Sequence, residues 1–421
     1  MIATLNNPQT TSLRLAGKRV ISVVYSSYPS DPRPRRAAEA LVRHGANVEV
    51  ICLKERDDEL QRETFNGVHI TRIPLKRRRA GKLSYIYQYG TMILRAGIIL
   101  AYRTIRNRFD IVHIHNMPDI LVFSALIPKL FGAKVILDLH DPMPELMMAI
   151  FGLAETSRTV RLLKIFEKWS LAFADRVVTT NEAFSKIFSS RSCAPEKITI
   201  IMNSPDEEIF SDREAAKPVP GQANNGRRFV IMYHGSLVER HGLDLAVKAL
   251  ATLRDLIPQA QLRIFGNRTP YLDQVLTFGR KSGMSEAIEY LGPKNLEQIA
   301  AAIRNCDVGI IPNRKSRFTE LNLPTRIFEF LSQGKPVIAP RTPGILDYFT
   351  PNELLLFELG NAEDLAMRIA YAFKHPEETV ELIERGQEIY RRHKWSVERL
   401  RFVSLVENLL SATKRSAVYR S

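Results

Sequence analysis

Short β-branched runs alternate with helix-length amphipathic stretches along almost the whole chain, and this rhythm constrains the fold more than any other feature. RVISVVY, NVEVICL, VHITRI, DIVHIH, KVILDLH, RVVTTN and KITIIMN occupy the first half; RFVIMYHG, QLRIFGN, AIEYLG, DVGIIPN, PVIAPR and LLLFEL occupy the second. Near-continuous apolar strands separated by helices suit a parallel sheet covered on both faces. The alternation pauses once, between Ser204 and Arg228, where a polar stretch carries three Pro and two Gly and no apolar period. Such a stretch reads as a linker. The pattern therefore predicts an α/β chain of two doubly wound, Rossmann-like domains, at residues 1–203 and 228–390, joined by a linker at 204–227. Residues 391–421 read as a helical tail whose apolar face must be covered. Open α/β sheets bind ligands beyond the carboxyl ends of their strands, so the two domains are expected to face a central cleft.

Charge is unevenly spread. The net charge is +15, yet residues up to Asn203 hold 30 Lys and Arg against 18 Asp and Glu, and the remainder hold 30 against 27. Between Arg72 and Phe109 there are ten cations and no acid, including Lys76, Arg77, Arg78, Arg79 and Lys82. The stretch that follows places Leu83, Tyr87, Met92, Ile93, Leu94, Ile98, Ile99 and Tyr102 largely at helical spacing. Arg95 interrupts it, so no apolar run reaches the length of a membrane span. A basic, partly apolar edge is expected to meet an anionic bilayer, where each Lys or Arg contributes about 1 kcal/mol. The stripe also suits packing on the first sheet, which would leave only the basic edge for lipid. No DNA- or RNA-binding module is visible, so nucleic acid is not an expected partner. The amino terminus lacks the apolar core of a secretory signal. Cys52, Cys193 and Cys306 lie too far apart to suggest a disulfide framework or a zinc site. A cytoplasmic protein, peripheral on the membrane, is the expectation.

Two segments carry most of the chemistry. In YHGSLVERHGLDLAVKAL a strand ends at His234-Gly235 and a turn runs through Arg240, His241 and Gly242 into a helix. This is either an anion-binding loop or a tight turn with a solvated Arg. In TELNLPTRIFEFLSQGKPVIAP, Pro324 and Thr325 open a helix, and Arg326 and Glu329 follow in its first turns. A carboxylate there can accept two ribose hydroxyls, and free N–H groups can hold a diphosphate. As a mere i,i+3 pair, Arg326 and Glu329 would contribute only roughly 0.2–0.5 kcal/mol. Their position after a strand in the second domain favours the functional reading.

With DIVHIHNMPD, KVILDLHDPMPEL, DRVVTTNE and KITIIMNSPDEEIF, these segments make the chain resemble the family-4 retaining glycosyltransferases of GT-B fold, of the bacterial polysaccharide and glycolipid type, over nearly its whole length. The resemblance implies a sugar-nucleotide-binding C-terminal domain, an acceptor-binding N-terminal domain and a tail that crosses back. It implies donor contacts at Gly235, Arg240, His241, Pro324, Thr325, Arg326 and Glu329, with Glu329 as the second acid of an E-x7-E motif. Glu320 precedes it by nine positions rather than eight, so a loop must absorb one residue for Glu320 to reach the donor sugar. His140 matches the family's active-site histidine. Arg33 and Arg36, in the loop after the first strand, offer charge to an acceptor phosphate or are simply solvated. Asn116 and Asp119 are placed on the acceptor side. His113 and His115 share one strand face and read as cleft lining or core rather than a metal pair.

The expected activity is retaining transfer from a UDP- or GDP-linked sugar to a glycan or lipid-linked acceptor, as in exopolysaccharide or glycolipid synthesis. No metal or other cofactor is expected. A catalytically weak sugar-nucleotide-binding protein and a GT-B nucleotide-sugar epimerase are the alternatives.

Overall fold

The structure, a computed structural model, describes residues 14–77, 82–215 and 227–418. Arg78, Arg79 and residues 216–226 of the expected linker lie outside the described residues. Two sheets organise the rest. The first contains β1 (Arg19–Val24), β2 (Asn47–Leu53), β3 (Arg62–Phe65), β4 (Val68–Ile73), β5 (Ile111–His115), β6 (Lys134–Leu139), β7 (Arg176–Thr179) and β8 (Ile198–Ile200). The second contains β9 (Phe229–His234), β10 (Ala260–Phe265), β11 (Ile288–Tyr290), β12 (Val308–Ile310), β13 (Val337–Pro340) and β14 (Leu355–Phe357).

Strand order is β3-β4-β2-β1-β5-β6-β7-β8 in the first sheet and β11-β10-β9-β12-β13-β14 in the second. The doubly wound α/β expectation holds in both. Every described pairing is parallel except β3 with β4. The sequence pattern did not reveal β3. Three of its four residues, Arg62, Glu63 and Thr64, are polar, as suits an exposed sheet edge, and only the Asn66-Gly67 pair announces the hairpin. Both turn residues take positive φ, 49° and 78°, the twist that a two-residue hairpin turn favours.

Alternation along each strand builds a core on either side of the sheet. In the first sheet Ile21, Val23, Val112, Ile114, Val135 and Leu137 face one layer of helices, while Val20, Val24, Ile111, Ile136 and Val178 face the other. The first layer includes α2 (Lys82–Arg106), α3 (Leu126–Leu130), α4 (Met143–Phe151) and α5 (Arg158–Phe173), which follow α1 (Pro32–Arg43) in the chain. The second layer holds α1 and the last helix, Trp395–Val418, whose Phe402, Val403, Val406 and Leu409 pack with Leu41, Val48 and Val50. The chain thus ends on the sheet with which it began.

The halves also touch directly. Phe318 and Leu321 of the second half are buried in the first half's core, the Phe184 and Phe318 rings lie 6.2 Å apart, and the Glu182 N–H donates to the Tyr348 hydroxyl at 2.9 Å.

The helix expected after the basic run is present as α2. Met92, Ala96, Leu100 and Thr104 are buried, so one face packs on the sheet. The opposite face, bearing Tyr87, Leu94, Ile98, Tyr102 and Ile105, is exposed. No helix among the described residues is long and apolar enough to cross a membrane.

Candidate active site

In each sheet the strand order reverses beside its first strand, between β1 and β5 and between β9 and β12. Loops on either side of such a switch point part and leave a crevice. Both crevices open into one cleft of about 1870 Å³, lined by Val24, Asn116 and His140 from the first half and by His234, Arg240, Arg326 and Glu329 from the second. A drug-sized ligand occupies roughly 300–1,000 Å³, so the cleft has room for two substrates together.

On the second half's wall, Gly242 lets the turn fold. Its φ is +63°, and a Cβ built there would stand 1.9 Å from the Pro312 carbonyl oxygen, so only glycine fits. His241 does not present a charge to the cleft. Its Nδ1 lies 2.8 Å from the Ser236 carbonyl and 3.2 Å from the Tyr233 hydroxyl. Burial, helped by Arg326 and Arg240, pushes its pKa down to about 3. His241 therefore staples the turn, and the cations that line the cleft here are Arg240, Arg314 and Lys315. Arg314 is held by Asp244 at 2.9 Å.

Arg326 and Glu329 are brought together beside His234. The Arg326 guanidinium donates to the His234 carbonyl at 2.8 Å and lies 4.7 Å from the Tyr233 ring centroid. A Glu329 carboxylate oxygen stands 3.3 Å from His234 Nε2. Burial raises the Glu329 pKa to about 7, against the opposing pull of Arg326 and Arg36. Burial, with Arg326 nearby, lowers His234 to about 3. A buried acid with its pKa raised in a cleft is the pattern of a functional-site candidate. Pro324 and Thr325 also line the cleft.

Glu320 does not. It sits in the short helix Arg317–Leu321, where Arg317 approaches its carboxylate at 3.6 Å, and it is absent from the cleft wall. Burial of Phe318 and Leu321 in the first half's core fixes the helix rotation and turns Glu320 aside. Asn322 and Leu323 line the cleft instead.

On the first half's wall, His140 follows β6 and lines the cleft. Its backbone N–H donates to the Asn116 Oδ1 at 2.8 Å, and its Nε2 lies 3.1 Å from Nδ1 of the buried His115. Burial holds His140 below the usual histidine range despite the neighbouring Asp138, so the ring is neutral at neutral pH. Asn116 lines the cleft too, but its amide donates to Asp119 at 3.0 Å and to the Asp141 carbonyl at 2.8 Å, so it braces the His140 loop. Asp119 is buried behind it, its pKa pushed up to about 7 by burial. Asp141, which the sequence reading did not single out, lines the cleft with its pKa raised by burial to about 6 and Arg240 pulling the other way.

Arg33 and Arg36 turn inward rather than toward the acceptor side of the cleft. Arg33 reaches Asp138 at 2.7 Å, the Ile201 carbonyl at 2.9 Å and Asn203 at 2.9 Å. Arg36 donates to the Ser204 carbonyl and sits 5.3 Å from the Trp395 ring centroid. Removing one partner of a buried pair strands the other. Arg33→Met is therefore expected to destabilise the protein by about 3–5 kcal/mol, read as a lowered urea midpoint. A variant as stable as wild type would return Arg33 to the solvated class.

Lys76 and Arg77, expected on the membrane edge, pair with Asp57 at 2.8 Å and with Glu55, and both line the cleft. His113, His115 and Asp138 offer ligand atoms within 4.8 Å of one another. Asp138 is already held by Arg33, however, and a dication beside that guanidinium would add buried positive charge.

Two Rossmann-like halves facing a shared cleft across their switch points are the GT-B architecture. Residues 31–204 match the model of the glycosyl transferase 4-like domain, and residues 217–389 match that of glycosyl transferases group 1. The chain belongs to the family-4 GT-B glycosyltransferases.

Among its relatives, an uncharacterized glycosyltransferase of Methanocaldococcus jannaschii is 22% identical over 80% of this chain and 84% of its own length. A D-inositol 3-phosphate glycosyltransferase of Stackebrandtia nassauensis is 25% identical over 42% of this chain and 41% of its own. Among solved structures, the sucrose-phosphate synthase of Thermosynechococcus elongatus superposes with a TM-score of 0.75 at 17% identity, covering 94% of this chain and 100% of that one. The Anabaena protein HepE, solved with UDP-glucose, gives 0.68 at 14% identity over 93% and 99%. These structural likenesses concern the fold.

Proposed function

We propose that the protein transfers a sugar from a uridine or guanosine diphosphate donor to a membrane-associated glycan or lipid-linked acceptor, with retention at the anomeric carbon. One observation carries this reading: Glu329 and Arg326 on one wall face His140 on the other across a cleft large enough for both substrates. Glu329 takes the two ribose hydroxyls, while Arg240, Arg314 and Lys315 draw off the charge that develops on the departing diphosphate. These side chains supply the neutralisation that the reaction needs, so no metal is assigned a role. The leaving phosphate remains on the acceptor face and accepts the acceptor's proton as its bond to the sugar breaks. This requires no pair of catalytic carboxylates, unlike a retaining hydrolase. The protein HepE, solved with UDP-glucose in the same fold, supports a nucleotide-sugar donor.

The displacement of Glu320 from the cleft favours a second reading, a sugar-nucleotide-binding protein without turnover. An epimerase would invert a sugar without any acceptor. The assay is incubation with a panel of radiolabelled sugar nucleotides, with and without lipid extract. Transfer of label to lipid supports the proposal. Binding without release of nucleotide supports the second reading, and an isomerised sugar nucleotide supports the epimerase.

A further inference from the structure

The outward face of α2 is apolar where a surface helix is ordinarily polar. Tyr87, Leu94, Ile98, Tyr102 and Ile105 recur at helical spacing opposite the buried stripe, and each is between 54% and 70% exposed. The neighbouring elements of the same layer continue the surface, with Leu130 and Phe131 at the end of α3 and Leu162, Ile165 and Trp169 on α5 exposed as well. Scattered exposed apolar residues need no explanation, but a whole apolar helix face, with further exposed apolar residues on elements of the same layer, marks an interaction surface.

Charge identifies the occupant. Arg106 lies 4.2 Å from the Tyr102 ring centroid and Arg108 lies 5.5 Å from that of Phe131. Arg95, Arg158, Arg161 and Lys168 are exposed on the same helices. The acids nearby are already engaged: Glu167 is buried against Arg191, Glu155 holds Lys164, and Asp175 holds Lys129. An apolar platform ringed by cations fits an anionic lipid surface, into which aromatic and aliphatic side chains insert while arginines pair with headgroups. A second copy would set these cations against their own kind.

The platform also leads to the cleft. The Tyr85 and Phe151 rings meet at 6.3 Å, and Tyr85, Tyr89 and Ile150 line the cleft.

We infer that the exposed face of α2, α3 and α5 seats the protein on an anionic bilayer, with the rim at Tyr85 and Ile150 turned toward an acceptor anchored there by a lipid tail. The seat is this apolar face rather than the Lys76–Arg77 edge, whose described cations are paired. The inference rests on the proposed transfer only for its acceptor; the docking itself is tested apart from chemistry.

Flotation with vesicles of phosphatidylcholine alone, or mixed with phosphatidylglycerol, reads the docking. Wild type should float with the mixed vesicles, weaken with added salt and stay down with the neutral ones. The double variant L94E/I98E should bind at least about tenfold more weakly, because apolar insertion is replaced by charge. Both positions are exposed and neither lines the cleft, so its hydrolysis of a soluble sugar nucleotide should match wild type. A doubly substituted protein that floats like wild type, or a wild type that does not float, overturns the inference. So does a wild-type dimer that this double variant dissolves, since a second copy then occupies the face. Flotation as expected without any sugar transfer upholds the docking and overturns only the functional reading.

Discussion

Glu329→Gln is expected to abolish most sugar transfer while making the empty protein more stable above neutral pH. The first effect follows from charge. A carboxylate that accepts two ribose hydroxyls makes two charge-assisted hydrogen bonds, worth roughly 1.5–3 kcal/mol each, so kcat/KM should fall by at least about a hundredfold. The second effect follows from linkage. Burial raises the Glu329 pKa from 4.5 to about 7 in the folded protein, so the folded state holds its proton more tightly than the unfolded chain. Stability from this group is complete below pH 4.5, declines as pH rises, and is lost above about 7. The difference amounts to about 3 kcal/mol. Gln cannot ionise, so the variant should melt later than wild type at pH 8 and no later at pH 4. A variant with wild-type transfer, or one less stable at pH 8, would sink this account of Glu329. The same titration should give wild type a kcat/KM that rises toward pH 7, because the ionised acid is the one that accepts ribose hydroxyls. That limb should vanish in the variant.

Much of the fold was legible because the parallel-sheet rhythm is local: each strand announces itself by its own apolar residues. Arg326 and Glu329 were legible for a similar reason, lying one helical turn apart behind a strand. The rest depended on partners far off in the chain. Arg33 and Asp138 are 105 positions apart, and nothing in SSYPSDPRPRR says that its first arginine reaches an aspartate on β6. The direction of Glu320 is set by Phe318 and Leu321, which take their places in the other half's core. Spacing to Glu329 carries no trace of that constraint. His241 reads as a cation beside Arg240 until the turn closes and Ser236 and Tyr233 claim its ring. The α2 stripe shows the reverse case. Periodicity reported helix correctly, but one helix can be apolar on two faces, and only the fold distinguishes the face that packs from the face left exposed.

His140→Ala is expected to act on turnover rather than on donor binding. The ring stands across the cleft from Glu329 and the cationic turn, so donor KM should stay within about threefold while kcat falls by roughly 10²–10³. Wild-type kcat should be flat through neutral pH, since burial keeps His140 below 6.5 and therefore neutral there. A kcat limb near neutrality that disappears in His140→Ala would contradict that assignment. Orientation provides a second, sharper readout. His140 Nε2 is engaged by His115 Nδ1 at 3.1 Å, so one ring donates and the other accepts, and this contact fixes the tautomer. His115 is fully buried and cannot touch a substrate; it acts by positioning. His115→Leu should therefore lower kcat by about tenfold, leave donor KM unchanged, and add little further loss when combined with His140→Ala. Losses that multiply in the double variant would mean that the two rings act independently. The hydrogen bond between them would then be a feature of packing, and the orientation of the His140 ring would not depend on His115.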